Sequence, residues 1–217
     1  METEIERIDR YEDERFSKTV LYQHGAFLVN GKPCEVEVTG GNSAVIRGED
    51  AGLYPEIIDA FRFYAGHITR FVDVKGELVR EFPPVDIFRV RLEKLQPSQF
   101  YVDQDKLAAV RTFIHGPEDI VIPVIPDGGG YISLDGHTRL AAAIDAGYSE
   151  VRAFIDEDPP PVEGFVAEAR KRGIYTPYDM RRVTHDEYEV LWNKFCDDYF
   201  AETGALEDNS AQEPVVL

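Results

Sequence analysis

Tyr131-Ile132-Ser133-Leu134-Asp135-Gly136-His137-Thr138-Arg139-Leu140-Ala141-Ala142-Ala143 is an apolar, β-prone run that ends in Asp-Gly and passes at once into a small-residue helix. Gly136 is the residue that tolerates a sharp turn or a close backbone approach. The backbone N–H groups of His137, Thr138 and Arg139 would open the new helix, where no intrahelical carbonyl precedes them. Donors and helix dipole then point the same way, which makes a strand–turn–helix corner an anion site. Arg139 adds a guanidinium fork suited to phosphate. The corner predicts a nucleotide or another phosphate ligand.

The flanks of the corner alternate strand and helix signals. Ile120-Val121-Ile122-Pro123-Val124-Ile125 reads as a buried or edge strand, with Pro123 opposing a fully paired central position. Pro126 to Gly130 turns the chain into the corner strand. The helix after the corner runs to Gly147, a C′ glycine, and Val151–Ile155 follows as a strand. Upstream, Ile87–Leu92 alternates as a strand and Leu95–Gln99 reads as a loop. Asp103 caps a helix to about Ile114, with Leu107, Val110 and Ile114 on its inner face.

Farther out lie segments of different character. Residues 1–17 read as a charged arm, helical in tendency. Residues 18–85 read as a small α+β module. Its strand candidates are Val20–Tyr22, Ala26–Val29, Cys34–Val38 and Ser43–Ile46, with a hairpin signal at Asn30-Gly31. Its helix spans Tyr54 to Phe71, with Ile57, Ile58, Phe61, Tyr64, Ala65 and Ile68 in helical spacing. Lys75-Gly76 marks a second hairpin. Phe82-Pro83-Pro84 closes the module, and the corner domain spans 86–158. The Pro-rich acidic stretch Asp156–Pro161 leads into a helical module, 159–200, broken around Gly173–Pro177. Thr184-His185-Asp186-Glu187 resembles a capping box there. Residues 201–217 are polar and acidic and read as a disordered tail. The predicted class is α+β.

The net charge is −18. That opposes non-specific binding to nucleic acid or anionic membrane, which needs a basic face. Within 86–158 there are seven Lys and Arg against thirteen Asp and Glu, so the corner domain is acidic as well. No helix-turn-helix with a basic recognition helix is legible. No apolar run reaches about 18 residues, so no membrane span is expected. Met1–Glu14 is too charged for a signal peptide. Cys34 and Cys196 read as two reduced core thiols of a cytoplasmic protein, and no Cys/His cluster has zinc spacing.

Residues 87–155 resemble the ParB/sulfiredoxin superfamily. The matching series is Val90-x-Leu92 with Leu95-x-Pro97, Lys106-Leu107 on a helix, and Val121-Ile122-Pro123-Val124. It continues through Tyr131–Arg139 to Ala142-Ala143 and Gly147-Tyr148-x-x-Val151, about a third of the chain. Chromosome-partitioning ParB proteins carry Gly-Glu-Arg-Arg at the corner and bind CTP. Sulfiredoxins carry Gly-Gly-Cys-His-Arg and use ATP with a cysteine. Free serine kinases carry Asp-Gly-His-His-Arg or a close variant. This chain, with Asp135-Gly136-His137-Thr138-Arg139, is most similar to the kinase branch. His137 stands where the sulfiredoxin cysteine would, which argues against sulfinic acid repair.

The resemblance implies ATP or ADP held by Gly136, His137, Thr138 and Arg139, with Mg²⁺ carried on the phosphates. It implies a small hydroxyl substrate such as free serine, approached by Asp135, His137 and Gln99. The kinases place a basic glutamate two residues after the loop proline. Here Pro97-Ser98-Gln99 offers an amide, which accepts no proton as a carboxylate does. Either Asp135, Asp103 or Asp105 serves instead, or the protein binds a nucleotide without turning it over, as a sensing or regulatory module. Lys106 and Arg111 are further candidates for phosphate contact. DNA binding, the partitioning-protein analogy, is the weakest expectation.

Overall fold

The computed structural model describes residues 3–8, 10, 12–63 and 65–203, and the chain divides into two units, Met1–Ile87 and Phe88–Leu217. The fold is α+β, as the mixed strand and helix signals predict.

The first unit carries β1 (Ile5–Arg7), α1 (Lys18–Tyr22), β2 (Ala26–Val29), β3 (Lys32–Val38), β4 (Ser43–Gly48), α2 (Tyr54–Arg62), β5 (Arg70–Val72) and β6 (Leu78–Glu81). Its strands pair in the order β1-β2-β3-β4-β5-β6. The β2–β3 hairpin turns through Asn30 and Gly31, at φ 50° and 75°. Two left-handed residues are what a tight hairpin with native strand twist requires. α2 packs Ile57, Ile58 and Phe61 onto Phe27, Val36, Ile46 and Phe71 from the sheet.

Three expectations for this unit are corrected. The N-terminal arm is not helical: Ile5–Arg7 adds an edge strand antiparallel to β2, and three residues are too few to carry a periodicity. Val20–Tyr22 belongs to helix α1, not a strand, because Ser17 caps it: the Ser17 hydroxyl accepts the Val20 N–H at 3.2 Å. The 54–71 helix stops at Arg62, whose guanidinium donates to the Gly66 and Ile68 carbonyls at 3.2 and 3.1 Å and secures the turn into β5. Ile68 is still buried, though not as a helical residue. Tyr64, in the same predicted stripe, lies outside the described residues.

The second unit begins within β7 (Ile87–Arg91) and runs through β8 (Leu95–Pro97), β9 (Tyr101–Asp103), α3 (Gln104–Val110), β10 (Val121–Asp127), β11 (Gly130–Ser133), α4 (His137–Asp145), β12 (Glu150–Ile155), α5 (Glu163–Lys171) and β13 (Arg181–Val183). A final helical stretch joins α6 (His185–Tyr188), a π-helical segment at Glu189–Asn193 and α7 (Lys194–Thr203). Five strands form a sheet in the order β7-β12-β10-β11-β8, and β9 pairs separately with β13. α4 is buried on two sides, which its small residues permit. Leu140 and Ala143 meet Ile122, Val124 and Val151 of the sheet, while Ala141 and Ala142 meet Leu107 and Val110 of α3. Phe100, Phe165 and Trp192 make a separate aromatic core beneath the C-terminal helices.

Here too the structure departs from the sequence reading. Leu95–Pro97 is not loop but a buried strand parallel to β11. β10 is central, paired with β12 on one side and β11 on the other. Pro123 fits because it sits where β11 has just ended. Its carbonyl accepts the Leu134 N–H at 3.1 Å, and its missing donor falls beyond the β11 ladder. α3 ends at Val110 rather than Ile114 and continues as turn. β13 lies inside a module read as purely helical, recruited by β9. In the supposed tail, Ala201–Thr203 complete α7, and 204–217 lie outside the described residues. No helix among the described residues is long and apolar enough to cross a membrane.

Candidate functional site

β11 delivers the chain to Asp135-Gly136, and α4 starts at His137. Gly136 adopts φ 81°, ψ 19°, a left-handed conformation. A Cβ there would lie 2.6 Å from Ile122 Cγ2 and 3.1 Å from the Arg139 guanidinium. Glycine is thus required both for the turn and for the packing over it. Gly136, at the N-cap of α4, has no side chain with which to cap the helix. The first intrahelical bond, from Leu140 N–H to the Gly136 carbonyl at 2.9 Å, leaves three earlier donors at the corner.

Arg139 does not extend into solvent. Its side chain is 25% exposed and lies back over the turn. One terminal nitrogen donates to the Val121 carbonyl at 2.8 Å and the other to Asp135 at 3.0 Å. The guanidinium is therefore held at the corner by the strand beneath it, without a lengthy side-chain ordering cost when an anion arrives. Asp135 is 37% exposed, and Thr138 is half-buried.

His137 is 2% exposed, with its ring turned into the fold. Nε2 accepts the backbone N–H groups of Ser98 and Gln99 at 3.2 and 3.3 Å. The Ser98 and Ser133 hydroxyls each lie 3.3 Å from the same nitrogen. With Nε2 an acceptor, the proton of the neutral ring is on Nδ1. That Nδ1 is buried and has no hydrogen-bond partner. Burial pushes the pKa of His137 down to about 4; Asp135 opposes the shift and Arg139 adds to it. His137 thus pins the Ser98–Gln99 loop to the first residue of α4, and leaves one buried donor unused.

Gln99 is 4% exposed and does not face outward. Its side-chain nitrogen donates to the Tyr101 carbonyl at 2.5 Å and to the Tyr188 hydroxyl at 3.2 Å. A carboxylate could not donate to that carbonyl. The amide therefore has a structural task that the glutamate of the kinase pattern could not perform. Asp103 is fully buried and committed: one oxygen accepts the Asp105 and Lys106 N–H groups at 2.8 and 3.4 Å, and the other meets His185 Nδ1 at 2.8 Å. Asp105 is exposed on the first turn of α3.

The structure thus gathers Asp135, Gly136, His137, Thr138 and Arg139 at one corner, with Gln99 joined to it through the His137 ring. It does not bring Arg111 there. Arg111 pairs with Asp145, the last residue of α4, about 12 Å along the helix from its first turn. Lys106 sits with its ammonium 4.9 Å from the Tyr188 ring centroid. Ser98, Ser133 and Tyr188 complete the polar network and were not singled out from sequence. Their only signal was small polar or hydroxylated residues within otherwise apolar stretches.

Both cysteines are free and buried, and burial pushes the thiols up, to about 11 for Cys34 and about 12 for Cys196. Thiols raised in this way carry little thiolate at neutral pH. Among the described residues, no group of three or more His, Cys, Asp and Glu could hold a metal ion. A magnesium ion carried on nucleotide phosphates needs no such group. For a phosphate, the fit rests on three features: the backbone N–H groups of the helix start, a turn where any Cβ would intrude, and a fixed guanidinium.

No protein-family model matches the chain, and no curated protein matches it in sequence. Among solved structures, the crystal structure of protein Atu1540 from Agrobacterium tumefaciens is similar at 14% identity with a TM-score of 0.33, covering 63% of this chain and 74% of that one. A likeness that slight carries no argument about the site.

Proposed function

We propose that the chain binds the phosphates of ATP or ADP at the Gly136–Arg139 corner, as a nucleotide-binding protein of ParB/sulfiredoxin type in the cytoplasm. The observation that carries this reading is the corner itself. A helix start with glycine at its N-cap lies beneath an arginine already fixed to Val121 and Asp135. The N–H groups of His137, Thr138 and Arg139 would hold phosphate oxygens, and Gly136 would let them approach. Magnesium would arrive with the nucleotide and offset its charge; Asp135 is the carboxylate at the corner that could turn to it.

Binding without transfer is the better supported of two readings. Gln99 is buried and acts as a donor, and both oxygens of Asp103 are already engaged. Neither offers a proton acceptor to a substrate hydroxyl. Such a protein would sense the nucleotide, transmitting occupancy through differential binding of two conformations. The second reading is a kinase of a small hydroxyl substrate such as free serine. It is favoured by Asp135 alone, whose carboxylate is 37% exposed beside the same corner. DNA binding is disfavoured by the acidic balance of both the chain and its corner domain.

Calorimetry with Mg-ATP, Mg-ADP and CTP tests the shared claim, with Arg139→Ala as the control. Binding by the wild type, weakened about tenfold in the variant, supports it. No binding of any nucleotide removes both readings. Phosphate transfer to a panel of free amino acids then separates them: transfer that Asp135→Asn abolishes restores the kinase, and tight binding with no transfer supports the sensor.

A further inference from the structure

A second cluster of titratable groups lies where the C-terminal helices meet the start of α3. Asp103 ends β9, which pairs with β13 in parallel with Val183 opposite Asp103. Two residues past Val183, His185 opens α6. Its Nδ1 donates to Asp103 Oδ2 at 2.8 Å, while its side chain remains 53% exposed. The carboxylate it meets is 0% exposed. Tyr188, on the same short helix, is 2% exposed and reaches the Gln99 side-chain nitrogen with its hydroxyl at 3.2 Å. The Gln99 backbone N–H in turn bonds to His137 Nε2 at 3.3 Å. The solvent-exposed imidazole is thus joined by one helical turn to Tyr188, from which hydrogen bonds lead to the loop pinned against the corner.

We propose that Asp103 and His185 form a proton-operated latch that fastens the C-terminal helices to the start of α3 and, through Tyr188 and Gln99, sets the tightness of the Ser98–Gln99 loop at the corner. The latch is a property of the unliganded protein; its consequence for ligand affinity rests on the phosphate reading of the corner.

The charges around His185 favour its protonated form. Asp103 is the principal partner, Asp105 adds to it from the first turn of α3, and Glu189 Oε1 lies 4.0 Å from His185 Nε2 on its own helical stretch. Lys106, also from α3, faces the Tyr188 ring instead. Glu187 is taken up by the Thr184 backbone and hydroxyl at 3.0 and 3.1 Å in the capping box. A cation at a helix start is opposed by the dipole, so the carboxylates must outweigh that effect for the latch to hold. The hydrogen bond and charge of Asp103 act in that direction and raise the pKa of His185. A raised pKa in the folded state means that protonation stabilises the closed latch. That contribution is present in full below the unfolded imidazole value and is lost as pH rises through the folded one.

The test is an NMR titration of the full chain without nucleotide, following the His185 ring and the Gln99 side-chain amide from mildly acidic to alkaline pH. Asp103→Asn is the informative variant, because asparagine caps a helix as well as aspartate and removes only the charge. The wild type should titrate His185 above the value of a free imidazole, with the Gln99 amide following the same midpoint. In Asp103→Asn the midpoint should fall by about half a pH unit or more. In His185→Gln the Gln99 amide should lose that titration. Equal midpoints in the wild type and Asp103→Asn would overturn the latch. Gln99 signals that ignore the His185 midpoint, or that keep it in His185→Gln, would overturn the coupling. A protein that shows the titration yet binds no nucleotide retains the latch and refutes only the reading of the corner.

Discussion

His137 and His185 each open a helix, yet the fold treats them in opposite ways. His137 is buried and takes two backbone N–H groups on Nε2, and burial holds it neutral with its pKa pushed down to about 4. His185 is half-exposed and donates to a buried carboxylate that favours its charged form. The same residue type at the same helical position is a fixed acceptor in one place and a titrating donor in the other. What decides is the surroundings: burial at His137, a buried carboxylate beside an exposed ring at His185. The Ser98–Gln99 loop and Tyr188 lie between the two, so the contrast is built around one loop.

The largest effect is expected when the buried ring is removed. His137→Ala leaves the Ser98 and Gln99 N–H groups unsatisfied and opens a void beside α4. A loss of about 3–4 kcal/mol is expected in urea unfolding of the second unit. His137 also predicts a pH dependence of known sign. Because its folded pKa is depressed, its contribution is complete above the unfolded imidazole value and is lost as pH falls from about 6.5 toward about 4. That slope should be missing in His137→Gln when unfolding curves are compared across this window. His185 contributes with the opposite sign, on the alkaline side.

Gln99→Glu tests the loop itself. A carboxylate would face the Tyr101 carbonyl where an amide now donates. A loss of about 2–3 kcal/mol is expected at neutral pH, recovering as pH falls and the new acid protonates. A Gln99→Glu protein as stable as the wild type at both pH 5 and pH 8 would show that the loop accommodates a carboxylate, and would reopen a catalytic role for this position. Gly136→Ala should cost about 2 kcal/mol, from φ 81° and the contact with Ile122. Arg139→Ala should cost about 1 kcal/mol of stability through the lost Val121 bond, while nucleotide affinity falls about tenfold. Loss of stability with unchanged affinity for a nucleotide that does bind would make Arg139 a structural residue only. The smallest effect belongs to His185→Gln in alkaline solution, where unfolding should match the wild type within measurement scatter.

Much of the corner was legible from residue order. Asp135-Gly136 after an apolar strand, followed by Leu140-Ala141-Ala142-Ala143, required a strand, a left-handed turn and a closely packed helix. Asp103 as a cap and Thr184–Glu187 as a capping box were legible for the same reason: their bonds join residues two or three apart. Short range is what sequence patterns encode. Gly31 and Gly147 belong here too, since positive φ is a local demand.

Tertiary structure alone decided the rest. Whether Pro123 sits at an edge or in the middle of a sheet depends on where β11 stops, not on the proline. Leu95–Pro97 and Arg181–Val183 become strands only because β11 and β9 offer unpaired backbone groups to them. The direction of the His137 ring, the donor role of Gln99 and the pairing of Asp103 with His185 join residues 38, 89 and 82 positions apart. A titratable side chain announces its chemistry by its type, but its protonation state and partner follow from burial and from which distant group is desolvated beside it. By itself, the sequence determined the turns, caps and helix faces of this protein. Long-range pairing decided which histidine is neutral, which carboxylate is engaged, and which loop lies against the corner.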